Sequence, residues 1–255
     1  MKTTKITMDT KKFERKAAPV TRFQVGLQAV VTAVLSLAIS VTAAGLSQAN
    51  GAEDGWKNLF DGKDLEGWVQ HGGHAKYSVE DGEIVGTSVP NTGNSFLCTT
   101  RNYSNFILEL EFNVQNGLNS GVQVRSECFE EPKVVTLGGK KISIPAGRVH
   151  GYQVEIDPSK RAWTGGLYDE GRRGWLVDLK NNVAASHAFK AEEWNTFRIE
   201  CKGDSIKTWL NGVAAADLHD AVTPTGFIAL QVHAVGKKTE PLKVRFRNIR
   251  INELN

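Results

Sequence analysis

The nine residues Phe106-Ile107-Leu108-Glu109-Leu110-Glu111-Phe112-Asn113-Val114 constrain this chain more than any other stretch. Their apolar positions recur every second residue, so Phe106, Leu108, Leu110, Phe112 and Val114 share one face of an extended strand. The same period returns at Trp194–Cys201, where Phe197, Ile199 and Cys201 oppose Arg198 and Glu200. Lys202-Gly203-Asp204 then makes a tight turn, and Ile206, Thr208 and Leu210 run back toward Asn211-Gly212, a strong turn signal. Leu242–Ile251 closes the pattern, with Val244 and Phe246 facing away from Arg245 and Arg247. Further strands are predicted at 76–80, 83–87, 95–99, 121–126, 149–156, 163–168, 174–179 and 226–233, and a hairpin over 134–144 pivots on Gly138-Gly139. No long amphipathic helix follows Trp56. The pattern predicts an all-β fold, a two-sheet jelly-roll sandwich, as one domain over residues 50–255.

Residues 1–49 read differently. Seven Lys and Arg stand there against Asp9 and Glu14, followed by an uncharged apolar run from Val25 to Leu46 and by Ser47-Gln48-Ala49. A basic start, an apolar middle and a small-x-small exit are the parts of a secretory signal peptide cleaved after Ala49. An uncleaved anchor is the competing reading, since about 20 apolar residues span a bilayer. The interrupting Thr and Ser and the cleavage site favour removal, with no stable membrane span left behind. The expectation is export to the periplasm or the exterior. The whole chain carries 31 basic and 28 acidic residues; without the leader 24 and 26 remain, a net charge of −2. A nucleic-acid footprint then has no support. Three cysteines are too few for a disulfide scaffold. Cys201 reads as core, and whether Cys98 and Cys128 pair is left open.

The second face of the strands carries the functional signal. Gln123 and Arg125 alternate with Val122 and Val124; Gln153, Glu155 and Asp157 with Tyr152, Val154 and Ile156; Gln231 and His233 with Ile228, Leu230 and Val232. Trp209 lies opposite Ile206 and Leu210 on its strand. Solvated faces are usually Lys, Glu, Thr and Ser. Amides and guanidinium groups instead make paired hydrogen bonds to vicinal hydroxyls, and an indole stacks on a pyranose ring. The loop from Trp163 through Tyr168 to Trp175 gathers aromatics, glycines, Arg172 and Arg173, and Tyr168 and Arg172 are candidates for the rim of a sugar site. Ordinary exposed residues are the plain alternative at each single position; the combined set favours a carbohydrate partner. His71-Gly-Gly-His74 has metal-like spacing but no third ligand nearby, so no ligand motif indicates a divalent metal. No cofactor is evident, because Walker loop, dinucleotide fingerprint and Gly-x-Ser-x-Gly elbow are all missing.

Seven segments in order also resemble a known family. They are Trp56–Trp68, Tyr77–Gly86, Asn119–Arg125, Gly151–Asp157, Thr164–Tyr168, Gly226–His233 and Phe246–Ile251, and they resemble the 3-keto-disaccharide hydrolase domain over nearly all of 56–254. The resemblance implies a concanavalin-like jelly roll, export beyond the cytoplasm, and action on glycosides or their 3-keto derivatives. Two features depart from the pattern. His233-Ala-Val-Gly-Lys-Lys stands where the family has His followed by Gly, and the Val134–Ile144 hairpin is an insertion.

Chemistry on a 3-keto-glycoside sets its own requirements. The ketone acidifies the hydrogen on C2, the enolate expels the oxygen on C1, and water adds back. Such an enzyme needs a base at C2, a cation or donor at the enolate oxygen, and an acid for the leaving group. Arg125 is the first choice for the oxyanion, with a bound metal as the substitute; His233 or Glu155 is the base; Gln153, Asp157 and Gln231 would position hydroxyls. A two-carboxylate glycosidase through Glu155 and Asp157, with Cα atoms about 7 Å apart, stays open. The rival from another class is a non-catalytic, lectin-like sugar-binding module on the same fold.

Overall fold

The computed structural model describes residues 55–255; residues 1–54, and with them the expected leader and its cleavage site, lie outside the described residues. Five short strands come first: β1 (Trp56–Asn58), β2 (Trp68–Gly72), β3 (Lys76–Glu80), β4 (Glu83–Thr87) and β5 (Ser95–Thr99). The long strands β6 (Phe106–Val114) and β7 (Ser120–Cys128) follow, then the hairpin of β8 (Lys133–Leu137) and β9 (Lys140–Ile144). Next come β10 (Val149–Ile156), β11 (Leu167–Glu170), β12 (Gly174–Val177) and the one-turn helix α1 (Val183–Ser186). The last five are β13 (Asn195–Lys202), β14 (Ser205–Leu210), β15 (Val213–His219), β16 (Phe227–Val232) and β17 (Lys243–Glu253).

These strands build the expected two-sheet sandwich. One sheet runs β15-β14-β13-β6-β17-β4-β3, with β1 added on β17, and the other runs β12-β11-β10-β7-β16-β5-β2. The hairpin β8–β9 pairs only with itself. Between the sheets lies a core of alternate side chains: Phe106, Leu108, Leu110, Phe112, Phe197, Ile199 and Phe246 from the first, Val122, Val124, Tyr152, Val154, Ile156, Ile228 and Leu230 from the second. Burying such aliphatic and aromatic side chains stabilises the sandwich by about 1.5–3 kcal/mol each before conformational entropy is counted.

The boundaries differ from the sequence expectation where parity is a poor guide. The strand expected at 163–168 begins only at Leu167, because Gly165 (φ +94°) and Gly166 turn the chain ahead of it. β15 escapes notice in the sequence because Ala214, Ala215 and Ala216 carry little β preference; its place at the sheet edge beside β14 comes from pairing. β1 and β2 are short edge strands without a visible alternation.

The two outer faces are unlike, and this places the site. On the eight-stranded sheet, Glu109 accepts from Arg198 at 2.7 Å and Arg250 at 2.8 Å, and Glu111 accepts from Arg247 at 2.8 Å. The guanidinium groups of Arg198, Arg247 and Arg250 cover the rings of Trp209, Trp194 and Trp56. This is a solvated face of mutually paired charges. On the seven-stranded sheet, β10 is buried along its whole length, and so is β7 up to Ser126, although alternate residues point away from the core. Cys98 and Cys128 are both free thiols. β16 runs between their strands, two strand spacings or about 10 Å, which exceeds the reach of a disulfide. Among the described residues no helix is long and apolar enough to cross a membrane.

Candidate active site

Register brings the polar residues of the second face together. Glu155 on β10 lies beside Gly121 on β7, and Gly121 lies beside Gln231 on β16. One step along, Tyr168 on β11 pairs with Gln153, and Gln153 with Gln123. Gly121 is required here: a Cβ on it would stand 2.6 Å from Cγ and Cδ of Gln153, whose side chain lies across that space. Above this row opens a cavity of about 610 Å³. Gln153, Glu155 and Asp157 line it on one side, His233 and Asn94 on another, and Tyr168 and Trp175 form an aromatic wall.

Glu155 is the most constrained group in the cavity. Only 4% of its surface is exposed. Its Oε1 accepts from Asn119 Nδ2 at 2.7 Å and from Arg161 Nη2 at 3.3 Å, while Oε2 accepts from Gln153 Nε2 at 2.8 Å. Burial pushes its carboxyl above the ordinary range against the pull of Asn119, Gln153 and Arg161, and the neighbouring Asp157 adds to the rise. Asp157 is tied down instead. It accepts from Arg161 Nε at 2.7 Å and from the Ser159 backbone N–H at 3.1 Å. The two carboxylates of a conventional glycosidase pair therefore share one guanidinium.

Arg161 is the cation of the site, and it sits in the loop after β10 where strand parity gives no information. Its guanidinium rests 4.9 Å from the ring centres of both Trp163 and Trp175. The two indoles meet edge to face at 4.7 Å, and Trp175 also meets Tyr168 at 5.3 Å. Aromatic faces and two carboxylates hold the charge in place while its side chain stays 41% exposed toward the cavity. Opposite, Arg148 pairs with Glu170 at 2.5 Å. The sequence signal for Arg161 was its position two residues before Trp163.

His233 lines the far side. Its Nδ1 lies 2.9 Å from the Ala234 carbonyl, which can only accept, so Nδ1 is the donor of that bond and Nε2 is left for other partners. Asn94 Oδ1 accepts from the Ala234 N–H at 2.9 Å and fixes this turn. Between β10 and β16 stands only β7, so the flanks carrying Glu155 and His233 are about 10 Å apart, room for one sugar ring. Among the described residues no three His, Cys, Asp or Glu side chains gather to hold a metal ion.

Residues 55–252 match the model of the 3-keto-alpha-glucoside-1,2-lyase-like domain. The chain belongs to this family. No curated protein sequence matches it. A candidate glycosyl hydrolase from Parabacteroides distasonis is similar in structure at a TM-score of 0.50, with 22% identity over 79% of this chain and 94% of that one. The carbohydrate-binding module CBM66 from Bacillus subtilis gives 0.50, with 17% identity over 72% and 94%. A Bacillus subtilis protein with a galectin-like fold gives 0.54, with 13% identity over 74% and 90%. These likenesses show the galectin-like, jelly-roll fold.

Within this 3-keto-alpha-glucoside-1,2-lyase-like domain, five of the expected site residues do not line the cavity: three lie elsewhere and two are sealed beneath it. Arg125 is fully buried and reaches the other sheet: its Nε donates to Ser104 O and its Nη1 to Gly203 O, both at 2.7 Å, and Nη2 donates to Asn105 Oδ1 at 3.2 Å. The cause is a bulge. Arg125 has φ +48°, and pairing slips opposite it between His150 and Tyr152 and between Phe227 and Ala229, which breaks the period-two rule. Trp209 stands on the outer face of the opposite sheet beneath Arg198. Arg172 turns inward, donating to Asp169 Oδ1 at 2.7 Å and Thr223 Oγ1 at 2.6 Å. Gln123 is on the expected face but sealed beneath the cavity, donating to Gln153 Oε1 at 2.7 Å and accepting from Ser126 Oγ at 2.6 Å. Gln231 shares that buried row, and neither atom of its amide has a hydrogen-bond partner among the described residues.

Two further cavities differ in kind. One of about 530 Å³ lies on the charge-ladder face among Glu83, Lys243 and Arg245, groups already paired with one another or with Glu80. Another of about 660 Å³ lies at the far end of the seven-stranded sheet around Phe227 and Cys128. Neither places a buried carboxylate beside an arginine.

Proposed function

We propose that this domain cleaves the glycosidic bond of 3-keto-glycosides or related disaccharides by removing the C2 proton, eliminating the group on C1 and hydrating the product. The observation that carries the reading is Glu155, a buried carboxylate of raised basicity with Arg161 Nη2 at 3.3 Å. The C2 hydrogen and the C3 ketone oxygen sit on adjacent carbons, so the base and the oxyanion partner must be neighbours. Glu155 takes the proton from C2, and Arg161 stabilises the negative charge that moves onto the ketone oxygen. The bond from C1 to the leaving oxygen then breaks. His233, across the cavity floor, gives a proton to that oxygen and takes one from the water that adds at C1, while Glu155 gives a proton back to C2, so both groups end as they began. Gln153 and Asn119 hold the carboxylate, Asp157 holds Arg161, and Tyr168 and Trp175 offer a wall for the sugar ring. Family membership supports the substrate class, and the expected leader supports an exported site of action.

A sugar-binding module without catalysis is the second reading, favoured by that aromatic wall. Incubating purified protein with a 3-keto-glucoside and following the released alcohol separates the two. Turnover is expected, with Glu155→Gln and Arg161→Ala each lowering kcat by about 10²-fold or more. Measurable sugar binding without release would leave the lectin-like reading standing.

A further inference from the structure

From Glu155 and Gln153 at the cavity wall a chain of hydrogen bonds runs down to Gln123 and Ser126, two residues that the proposed reaction leaves unused. The Ser126 hydroxyl donates to Gln123 Oε1 at 2.6 Å, Gln123 Nε2 donates to Gln153 Oε1 at 2.7 Å, and Gln153 Nε2 donates to Glu155 Oε2 at 2.8 Å. Ser126, Gln123 and Gln153 are buried, so no bulk water can mend a broken link. The direction of this chain has one source. An ionised carboxylate only accepts, so Gln153 must turn its N–H toward Glu155 and its carbonyl toward Gln123, and Gln123 must do the same toward Ser126.

We propose that Gln153, Gln123 and Ser126 form a reversible amide relay that keeps the buried Glu155 carboxyl fully hydrogen-bonded both before and after it takes up a proton. The inference rests on Glu155 being the base of the proposed reaction, and it makes Gln123 and Ser126 positioning residues that act through Gln153. Once protonated, Glu155 becomes a donor at Oε2 and needs an acceptor where Gln153 had offered N–H. Rotation of the Gln153 amide by half a turn supplies its Oε1. Gln153 Nε2 then donates to Gln123 Oε1 after the same rotation there, and Gln123 Nε2 donates to Ser126 Oγ. The Ser126 hydrogen swings to a carbonyl already within reach, that of Val124 at 3.2 Å or Tyr152 at 3.3 Å. No proton leaves the chain; only its polarity reverses. Gly121 leaves the space for this motion, since a Cβ there would lie 2.9 Å from Gln153 Nε2. The opposite carboxylate oxygen keeps Asn119 and Arg161 in both states. The ionisable groups nearest Glu155 are Arg161, Asp157 and Tyr168, with His233, Arg148 and Glu170 also lining the cavity, and none of them belongs to the relay.

A pH titration of the free protein by NMR tests this without any substrate, so its outcome is independent of whether the proposed reaction occurs. The carboxyl carbon of Glu155 reports its ionisation, and the side-chain amide signals of Gln123, assigned with Gln123→Leu, report the relay. Gln123 does not touch Glu155, yet its amide signals are expected to move with the same midpoint as the Glu155 carboxyl. The movement should vanish in Gln153→Leu, which cuts the relay while leaving the carboxyl in place, and in Glu155→Gln, which removes the titration. Flat Gln123 signals while Glu155 titrates would overturn the relay. So would movement that persists in a folded Gln153→Leu protein, because the effect would then be carried through space. If that variant fails to fold, Gln153→Met, which keeps the length of the side chain and removes both amide groups, makes the same cut.

Discussion

Arg125 shows how far one backbone angle can move a charge. Strand parity puts it beside Gln123, but φ +48° turns its guanidinium into the space between the sheets, where two backbone carbonyls and Asn105 receive it. Its role is to tie the turns at Ser104 and Gly203 to β7. Arg125→Met strands those buried acceptors and should cost about 3 kcal/mol, read as a Tm lower by about 6–12 °C. The kcat of the remaining folded protein should stay within about twofold, since Ser104, Gly203 and Asn105, the partners of Arg125, do not line the cavity. A large loss of kcat at unchanged Tm would place Arg125 in the site after all. His150 makes a second case at this scale. Its ring is buried against Phe129, neither nitrogen has a partner among the described residues, and Arg172, Arg148, Lys133 and Asp169 surround it. Burial first, then the arginines and lysine, lower its pKa from 6.5 to about 4. The unfolded chain therefore binds a proton between these values that the folded one refuses, so stability present above 6.5 is lost as pH falls toward 4. His150→Phe should flatten the fall of Tm over that window; an unchanged slope would show that His150 stays neutral for no thermodynamic cost.

At the scale of elements, the site depends on strand register more than on any loop. β10, β7 and β16 bring Glu155, Gly121 and Gln231 into one row, and three of the strands were visible from alternation alone. Gln153, Glu155, Asp157 and His233 could be read in advance because regular pleat preserves parity along their strands, and Tyr168 because aromatics gather in its segment. The failures have local causes. The bulge at Arg125 breaks parity, the alanines of β15 conceal a strand, and Arg161 lies on a loop where no period applies. Trp209 obeys parity but on the other sheet, which alternation cannot distinguish. Gly121→Ala drives a methyl group to within 2.6 Å of the Gln153 side chain and must displace it. A displacement of about 1 Å beside the reacting group lowers kcat/KM by about 10²-fold, while overpacking costs about 1–3 kcal/mol of stability. Steady-state kinetics paired with a melting curve checks both; full activity would show that Gln153 does not orient Glu155.

For the whole molecule, the all-β sandwich and the family followed from the period-two runs and the ordered motifs, because each needs only local sequence. The division of labour between the two sheets did not, since it depends on which strands become neighbours. One sheet turns paired Arg, Glu and Trp to solvent, while the other keeps amides and a carboxylate out of water and surrounds them with Arg161, His233 and an aromatic wall. A net charge of −2 over residues 50–255 and a cavity lined by hydrogen-bonding groups suit a neutral sugar. The central claim is proton removal at C2 followed by loss of the group on C1. It is tested most directly by running the cleavage of a 3-keto-glucoside in D₂O, with an enzyme-free control, and examining the sugar product by mass spectrometry and NMR. Deuterium is expected at C2 of the released sugar at early times, with both release and labelling lost in Glu155→Gln. Original hydrogen kept at C2, together with equal release from the parent glucoside, which has no ketone to acidify C2, would contradict it.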